Sequence, residues 1–109
     1  MNYSVVITDQ ANADLRGIFE YIAFELQSAQ NAASQLSRIE TAIISLEHMP
    51  ERFNRYRSEP WRDRGMRLMP VDRYCVLYIP DQDNSTVNII RVVYGGRDID
   101  AELVKRTAE

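Results

Sequence analysis

The most constraining feature of the chain is the stretch from Thr86 to Asp98, TVNIIRVVYGGRD. Apolar residues occupy both faces of an extended strand here, with Val87, Ile89 and Val93 on one face and Ile90, Val92 and Tyr94 on the other. A strand that is apolar on both faces is covered on both sides. The stretch therefore predicts the central strand of a layered sheet rather than a half-solvated edge.

Two arginines stand out in this stretch. The strand ends at Gly95-Gly96, where the backbone is most permissive, and Arg97 follows directly on the turn. Exposed turns on a rigid scaffold often carry function, so Arg97 is a candidate binding residue, with a salt bridge to Asp98, Asp100 or Glu102 as the structural alternative. Arg91 interrupts the strand and is expected to reach an acid or a backbone carbonyl.

The N-terminal half predicts a strand and two helices. Tyr3, Val5 and Ile7 alternate as a first strand, and Thr8 or Asp9 then caps a helix. Its apolar stripe comprises Leu15, Ile18, Phe19, Ile22 and Leu26. After a break at residues 27–31, a second helix runs to about Met49 with a stripe of Leu36, Ile39, Ile43 and Leu46. A short connection between two long helices predicts an antiparallel hairpin.

The C-terminal half predicts strands and one short helix. Residues 51–65 have no clean period and form a loop. Three strands follow, from Met66 to Val71, from Tyr74 to Ile79 and from Thr86, and Pro70 favours an edge position for the first. A final helix runs from Asp98 to about Thr107. The predicted fold is one α+β domain over residues 1–109, a small, mainly antiparallel sheet with the helical hairpin on one face and a short C-terminal helix.

Charge is unevenly distributed along the chain. Residues 51–73 hold seven arginines against four acids, although the net charge is −3 and the pI is about 5.2. The low pI argues against broad coating of nucleic acid. Within this basic loop, arginines and aromatic residues occur together, as they do in interface hot spots, so Trp61 and Arg67 are candidates for touching a partner. The alternative is a solvated loop held by its own Glu51, Glu59 and Asp63.

Several kinds of site have no basis in the sequence. Cys75 is the only cysteine and His48 the only histidine, so we expect no intramolecular disulfide, no metal site and no cofactor. Cys75 is expected in the core and His48 at a helix end. No catalytic triad, phosphate loop or membrane-spanning run is apparent. We expect no signal peptide and a cytoplasmic protein.

The order of elements resembles the RelE/ParE superfamily of toxins from type II toxin–antitoxin systems. Family-like segments are ITDQANADLRGIFEYI in the first helix, GMRLMPVDRYCVLYIP across two strands and NIIRVVYGGRDI at the close. The resemblance covers nearly the whole chain and implies a cognate ParD-like antitoxin, bound in a hetero-oligomer, and a cellular target. RelE-like members cut messenger RNA on the ribosome, whereas ParE-like members poison DNA gyrase.

The residues at the nuclease positions favour the ParE-like branch. Cys75 stands after Tyr74 where RelE-like members carry an arginine, Leu103 takes the place of a tyrosine, and the paired lysines of an earlier strand are absent. The leading hypothesis is therefore a non-catalytic gyrase inhibitor, with no catalytic residues. The alternatives are a RelE-type ribosome-dependent ribonuclease and a binding module that has lost its toxicity.

Two sets of contact residues follow from the resemblance and the charge pattern. The predicted target-binding residues are Arg97, Arg67, Trp61 and Arg91. An extended antitoxin segment is expected to cover the sheet face that the hairpin leaves free, with acids that pair with the basic loop. The predicted antitoxin-binding residues are Arg52, Arg55, Arg64, Arg73, Val87, Ile89 and Val93.

Overall fold

The computed structural model describes residues 2–105 and contains a four-stranded sheet and three α-helices. The strands are β1 (Ser4–Ile7), β2 (Arg67–Val71), β3 (Tyr74–Asp81) and β4 (Thr86–Tyr94). The helices are α1 (Asp9–Glu20), α2 (Ala29–Ile44) and α3 (Ile99–Val104). A π-helical turn (Tyr21–Glu25) extends α1, and 3₁₀ turns follow at Ser45–Glu47 and Pro50–Arg52. The predicted final helix is thus confirmed from Ile99 to Val104, but it ends earlier than expected, because the backbone at Lys105 is already extended. The expected end at Thr107 lies outside the described residues.

The sheet has the strand order β1-β4-β3-β2, so the strand predicted to be central is central. β4 pairs with β1 in parallel and with β3 in antiparallel orientation, and β3 pairs antiparallel with β2. Pro70 lies in β2, an edge strand, where its missing N–H costs no ladder hydrogen bond. The α+β class and the mainly antiparallel sheet are both confirmed.

The helical hairpin packs on one face of the sheet, as predicted. Thr8 caps α1 by accepting a hydrogen bond from the Ala11 N–H at 3.2 Å, and Ser28 caps α2. The predicted break is therefore shorter than residues 27–31, because α2 already begins at Ala29. Side chains from both helices and the sheet form one buried core, which includes Leu15, Ile39, Ile43, Leu46, Val76, Tyr78, Val87 and Ile89.

The predicted stripe of the first helix is only partly right. Leu15 and Ile22 are buried, but Phe19 and Leu26 are exposed. The π-helical turn from Tyr21 to Glu25 adds residues to each turn of the helix and so rotates the later side chains away from the α-helical stripe. Leu26 consequently leaves the core face at the end of the hairpin.

A β-bulge in β4 overturns the predicted assignment of its two faces. Tyr78 of β3 pairs with Ile89 and Leu77 with Arg91, so Ile90 is an extra residue on β4. The extra residue reverses the side-chain alternation beyond it. Val87, Ile89 and Val92 therefore belong to the core beneath the helices, whereas Val93 belongs to a second core on the opposite face. The prediction that Val93 shares a face with Val87 and Ile89 is wrong.

The second face of the sheet is covered by the chain itself. Its core combines Tyr56 and Met66 from the loop after α2, Leu77 and Val93 from the sheet, and Ile99 and Leu103 from α3. Cys75 packs against this core, as predicted. Val87, Ile89 and Val93 are all buried. The expectation that an antitoxin finds an uncovered apolar face at these three residues is therefore wrong for the described structure.

Candidate functional site

The turn that follows β4 is built on two glycines with close neighbours. The Gly95 N–H donates to the carbonyl oxygen of Arg73 at 2.8 Å, which ties the turn to the β2–β3 hairpin. A Cβ on Gly95 would lie 3.2 Å from that oxygen and 3.3 Å from Sγ of Cys75. A Cβ on Gly96 would lie 2.5 Å from Cε2 of Tyr94. The absence of side chains at both positions lets the strand end turn tightly and sets the position of Arg97.

Arg97 lies exposed beside the start of α3. Its side chain is 64% exposed, and its Nη1 donates to Oε1 of Glu102 at 3.1 Å. Asp98 caps α3 by accepting from the Ala101 N–H at 3.2 Å. Burial alone would raise the pKa of Glu102, but the cations Lys105 and Arg97 outweigh it and hold that pKa below its ordinary value. Arg97 thus has one exposed ion pair, a weak contact that a partner can replace.

Arg91 is in the opposite situation, because its side chain is only 3% exposed. Its Nε and Nη2 donate to the Asp14 carboxylate at 2.6 and 3.0 Å, and its Nη1 donates to the carbonyl oxygens of Glu102 and Lys105 at 2.7 and 2.8 Å. The side chain therefore joins α1, β4 and the end of α3. This is the structural role expected from the sequence, and so buried a guanidinium offers a target no surface.

Asp14 also binds the edge of β4 that lies beyond the end of β1. β1 ends at Ile7 opposite Ile89, so the later part of β4 has no strand on that side. Asp14 Oδ2 accepts from the Val92 N–H at 2.9 Å, and the Thr8 hydroxyl donates to the carbonyl oxygen of Ile89 at 2.8 Å. The Asp14 carboxylate thus gives the Val92 N–H a partner where no strand lies beside it, and the Thr8 hydroxyl adds to the bond that the Thr8 N–H donates to the same Ile89 oxygen.

Two arginines of the basic loop bind main-chain carbonyls. Arg67 Nη1 donates to the carbonyl oxygens of Glu51 and Phe53. Arg52 Nη1 donates to the carbonyl oxygen of His48 at 2.6 Å, and its Nη2 donates to the Ser45 hydroxyl at 2.7 Å. Both guanidinium groups thus hold the chain that leaves α2.

The remaining predicted residues of the loop lie near the Asp81 end of β3. Arg64 stacks over the half-buried Trp61 ring at 5.0 Å, and Trp61 packs against the second core. Arg55 and Arg64 line a cleft of about 530 Å³, together with Arg67 and several polar and acidic residues. Within residues 2–105, the Arg55 side chain forms no hydrogen bond or ion pair.

The predicted target-binding residues are therefore not assembled in one place. Arg67 pairs with Tyr78 and so lies level with Ile89, whereas Arg97 follows Tyr94. The two levels are separated by roughly 15 Å along the strand direction. Trp61 lies over the second face and Arg91 is buried between α1 and α3. Of the four predicted target-binding residues, only Arg97 is exposed at the Tyr94 end of the sheet.

A tyrosine cluster at that same end was not predicted from the sequence. The rings of Tyr74 and Tyr94 are T-shaped, with centroids 5.9 Å apart and an interplanar angle of 73°. Burial raises the pKa of Tyr74, and the nearby Tyr94 and Tyr21 hydroxyls add to the rise. Because these tyrosines come from the π-helical turn, β3 and the end of β4, only the fold shows that they are neighbours.

The single histidine lies away from Arg97, and the carboxylate nearest to Arg97 is its ion-pair partner Glu102. His48 forms a bridge with Asn2 beside the start of β1, and β1 and β4 run in parallel from their starts. His48 is therefore roughly 25 Å along the strand direction from the turn that carries Arg97. The Tyr56 hydroxyl donates to Asp100, and burial, followed by this contact, raises the pKa of Tyr56. Tyr56 therefore keeps its proton at neutral pH and does not act there as a proton acceptor through a phenolate.

Two other properties concern the described part of the chain as a whole. Residues 2–105 contain no group of three or more His, Cys, Asp or Glu side chains placed to hold a metal ion. None of the helices in that part has the length and apolar character needed to span a membrane.

The sequence matches one family model. Residues 5–99 match the model described as the ParE toxin of type II toxin–antitoxin system, parDE. No curated protein matches the chain.

Solved structures share the fold. The toxin of a chromosomal ParDE system from Pseudomonas aeruginosa superposes with a TM-score of 0.71 at 18% identity, over 84% of this chain and 95% of that chain. A RelBE toxin–antitoxin complex from Mycobacterium tuberculosis gives 0.61 at 25% identity, over 86% and 99%. A mutant of Escherichia coli RelE in the free state gives 0.64 at 15% identity, over 97% and 98%.

Proposed function

The chain belongs to the ParE toxin family of type II toxin–antitoxin systems, and we propose that it acts by binding and inhibiting DNA gyrase. The observation that carries the proposal is the placement of Arg97. It stands on a fixed double-glycine turn, 64% exposed, at the end of a strand that is buried on both faces. A rigid support and a permanently charged, planar guanidinium suit a binding contact with a carboxylate or phosphate.

The mode of action proposed is binding rather than catalysis. Cutting RNA at a 2′-hydroxyl requires a group that accepts a proton near the group that stabilises the phosphate. Arginine is always protonated, His48 lies at the far end of the sheet, and the pKa values of Tyr56 and Tyr74 are raised. The carboxylate beside Arg97, Glu102, is held in ion pairs with Arg97 and Lys105, and its lowered pKa makes it a weak proton acceptor. These features support an inhibitor that occupies its target.

The test is the substitution Arg97→Ala. Loss of one charge-assisted contact at an interface costs about 2–5 kcal/mol of binding free energy, so inhibition of gyrase supercoiling should fall by more than ten-fold. The free energy of unfolding should change by less than about 0.5 kcal/mol, because the Arg97–Glu102 pair is exposed. Supercoiling assays and thermal melts of the same preparations measure both quantities.

A matched control is Arg62→Ala. Arg62 is exposed, and within the described residues its side chain has no hydrogen bond or ion pair, but it belongs to the basic loop. This variant should inhibit like the wild type. An Arg97→Ala protein that melts normally and inhibits as well as the wild type would move the contact elsewhere, first to the surface around Trp61 and Arg67.

The RelE-type ribonuclease is the second candidate, because RelE and a RelBE complex are among the structures that share the fold. Ribosomes that translate a defined message would be incubated with the purified protein and the message mapped by primer extension. Codon-specific cleavage in the ribosomal A site, without inhibition of gyrase, would replace the gyrase proposal with this one.

We further propose that a ParD-like antitoxin neutralises the protein in a hetero-oligomer, since the family and the neighbouring complexes are toxin–antitoxin systems. Arg55 and Arg64 line an open cleft together with Arg67, and Arg55 and Arg64 are the proposed partners of antitoxin acids. Isothermal titration of the cognate antitoxin at two salt concentrations tests this contact, because exposed ion pairs weaken with salt. Binding that is unchanged in Arg55→Ala would remove Arg55 from the interface.

A further inference from the structure

A hollow lies beside the double-glycine turn, between the β2–β3 hairpin and the end of β4. It has a volume of about 410 Å³ and is lined by Pro70, Asp72, Arg73, Tyr74, Cys75, Tyr94, Gly95 and Gly96. Tyr21, on the π-helical turn, is exposed and close enough to influence the ionisation of Tyr74. We call this surface the tyrosine groove, with Tyr74, Tyr94 and Arg73 as its central residues.

The rings of the tyrosine groove are held in place before any partner arrives. Tyr94 is 42% exposed, yet its ring packs against Gly96, where a Cβ would lie 2.5 Å from Cε2. The same ring contacts the Tyr74 ring edge to face. The Gly95 N–H holds the turn to the Arg73 carbonyl oxygen at 2.8 Å. Ordering side chains at an interface costs free energy, so an aromatic surface that is already ordered binds more tightly.

The groove also has an uncompensated positive charge. Arg73 is exposed, and its side chain forms no hydrogen bond or ion pair within residues 2–105. The adjacent acid, Asp72, is already occupied, because its Oδ2 accepts from Arg38 Nε at 2.8 Å and from Gln35 at 2.9 Å. These contacts hold the pKa of Asp72 below its ordinary value. The Arg73 guanidinium is therefore available to bind a carboxylate or another anion of a partner.

We infer that the tyrosine groove, together with Arg97, forms the contact surface for gyrase and receives a protein segment with a carboxylate next to an apolar or aromatic side chain. This inference rests on the proposed function. The continuity of the surface supports it, because the Arg97 N–H donates to the Tyr94 carbonyl oxygen at 3.2 Å and the two residues share one turn. Arg73, which the sequence assigned to the antitoxin, belongs to the target surface in this arrangement.

The composition of the groove favours protein over nucleic acid. Single-stranded nucleic acid is bound by aromatic rings within a groove that carries positive charge along several phosphates. Here two arginines are present, one of them already paired with Glu102, in a chain with a net charge of −3. Tyrosines with an arginine in a preformed hollow match the composition of protein hot spots instead.

The test uses three variants of the full chain, Tyr94→Ala, Arg73→Ala and Gly96→Ala. Tyr94→Ala removes a ring and Arg73→Ala removes a charge. Gly96→Ala truncates none of the groove side chains, but its added Cβ displaces the Tyr94 ring. Truncation of a hot-spot residue weakens binding by about thirty-fold, and we expect at least ten-fold weaker binding to purified gyrase holoenzyme with Tyr94→Ala. Biolayer interferometry measures this binding, and supercoiling assays should show a parallel loss of inhibition.

The controls separate a local effect from a loss of folding. Ile44→Ala removes an exposed apolar side chain from the end of α2, and Arg62→Ala removes an exposed arginine from the basic loop. Both should bind gyrase like the wild type. Tyr94→Phe keeps the ring and should retain most of the affinity. Thermal melts of all variants establish that each one is folded.

Each outcome is decisive. Parallel loss of gyrase binding and inhibition in the folded groove variants supports the inference. Groove variants that inhibit normally, while Arg97→Ala does not, overturn it and leave the proposed function standing. Selective loss of antitoxin binding also overturns it, and so does wild-type binding of a fluorescein-labelled single-stranded oligonucleotide that Tyr94→Ala abolishes. A wild-type protein that does not bind gyrase refutes the proposed function itself.

Discussion

Arginines lie at both ends of the sheet, but the contacts that they make differ between the two ends. At the Asp81 end, the basic loop supplies Arg52 and Arg67, whose guanidinium groups bind main-chain carbonyls. At the Tyr94 end, Arg73 and Arg97 are exposed beside tyrosine rings. Arg52 and Arg67 are therefore committed to the fold, whereas Arg73 and Arg97 remain accessible to a partner.

This difference shows that charge density in the sequence does not locate a binding surface. A guanidinium has five donors, and a loop without regular structure leaves many carbonyl oxygens that need a donor. Some of the guanidinium donors of the basic loop are therefore used in hydrogen bonds within the fold. A short turn such as Gly95-Gly96 closes with its own main-chain bonds and leaves the adjacent arginine available.

The sharpest contrast is between Arg91 and Arg97, only six positions apart in the sequence. Arg91→Ala leaves the Asp14 carboxylate buried without its cation, which should lower the free energy of unfolding by about 3–5 kcal/mol. Arg97→Ala should lower it by less than about 0.5 kcal/mol. Urea unfolding of both variants measures the difference, and equal stabilities would show that the Asp14–Arg91 network does not hold α3 as described.

Arg67→Ala tests the structural role of the basic loop. Two hydrogen bonds from a charged donor to carbonyl oxygens are lost, and we expect a loss of about 2 kcal/mol in the free energy of unfolding. The folded fraction should inhibit gyrase normally. Arg55→Ala is the matched control, since Arg55 makes no such bond within the described residues. A stable Arg67→Ala protein without inhibition would place the target contact at the Asp81 end.

A smaller effect than that of Arg67→Ala should come from Tyr78, whose hydroxyl donates to the Pro50 carbonyl oxygen at 2.5 Å. Tyr78→Phe should cost about 1 kcal/mol at neutral pH. Burial raises the pKa of Tyr78 from 10.0 to about 12, so the folded state holds this proton more tightly. Its stabilisation is complete below pH 10 and is lost as pH rises towards 12.

The measurement for Tyr78 is a pair of urea titrations, one near neutral pH and one near the upper end of that window. The gap in stability between the wild type and Tyr78→Phe should shrink as the tyrosine ionises. A gap that stays constant with pH would mean that the Tyr78 hydroxyl is not buried against Pro50.

Periodicity was sufficient to predict most of the fold. The helical stripes identified the hairpin, Pro70 identified the edge strand, and apolar residues on both faces of residues 87–94 identified the central strand. These signals are local, and tertiary packing reinforces them. The α+β class followed from the order of the elements.

Two deviations from periodicity could not be predicted from the sequence. The bulge at Ile90 and the π-helical turn from Tyr21 to Glu25 each insert extra chain into a regular element. Neither has a distinctive residue type, because Ile90 lies in an ordinary strand sequence. Beside the bulge, the Asp14 carboxylate binds the Val92 N–H, a contact between residues 78 positions apart that no local pattern reveals.

The candidate site was predicted only where one residue carried it. Arg97 was recognisable because its turn and its charge are adjacent in the sequence. The tyrosine groove was not, since Tyr21, Tyr74 and Tyr94 are far apart in sequence and become neighbours through strand pairing and hairpin packing. Arg91 was expected to reach an acid or a backbone carbonyl and was also named as a target contact, but only the fold identifies Asp14 as that acid.

The parallel pairing of β1 with β4 has a consequence for the timing of synthesis. Ser4 is paired with Thr86, so the first strand made waits for the last strand before it enters the sheet. The helices α1 and α2 likewise emerge before the strands that cover their apolar stripes. Chains are synthesised at about 5–20 residues per second, so β4 is synthesised several seconds after β1. Throughout that interval the nascent chain lacks the turn that carries Arg97, and it becomes a finished toxin only at the end of translation.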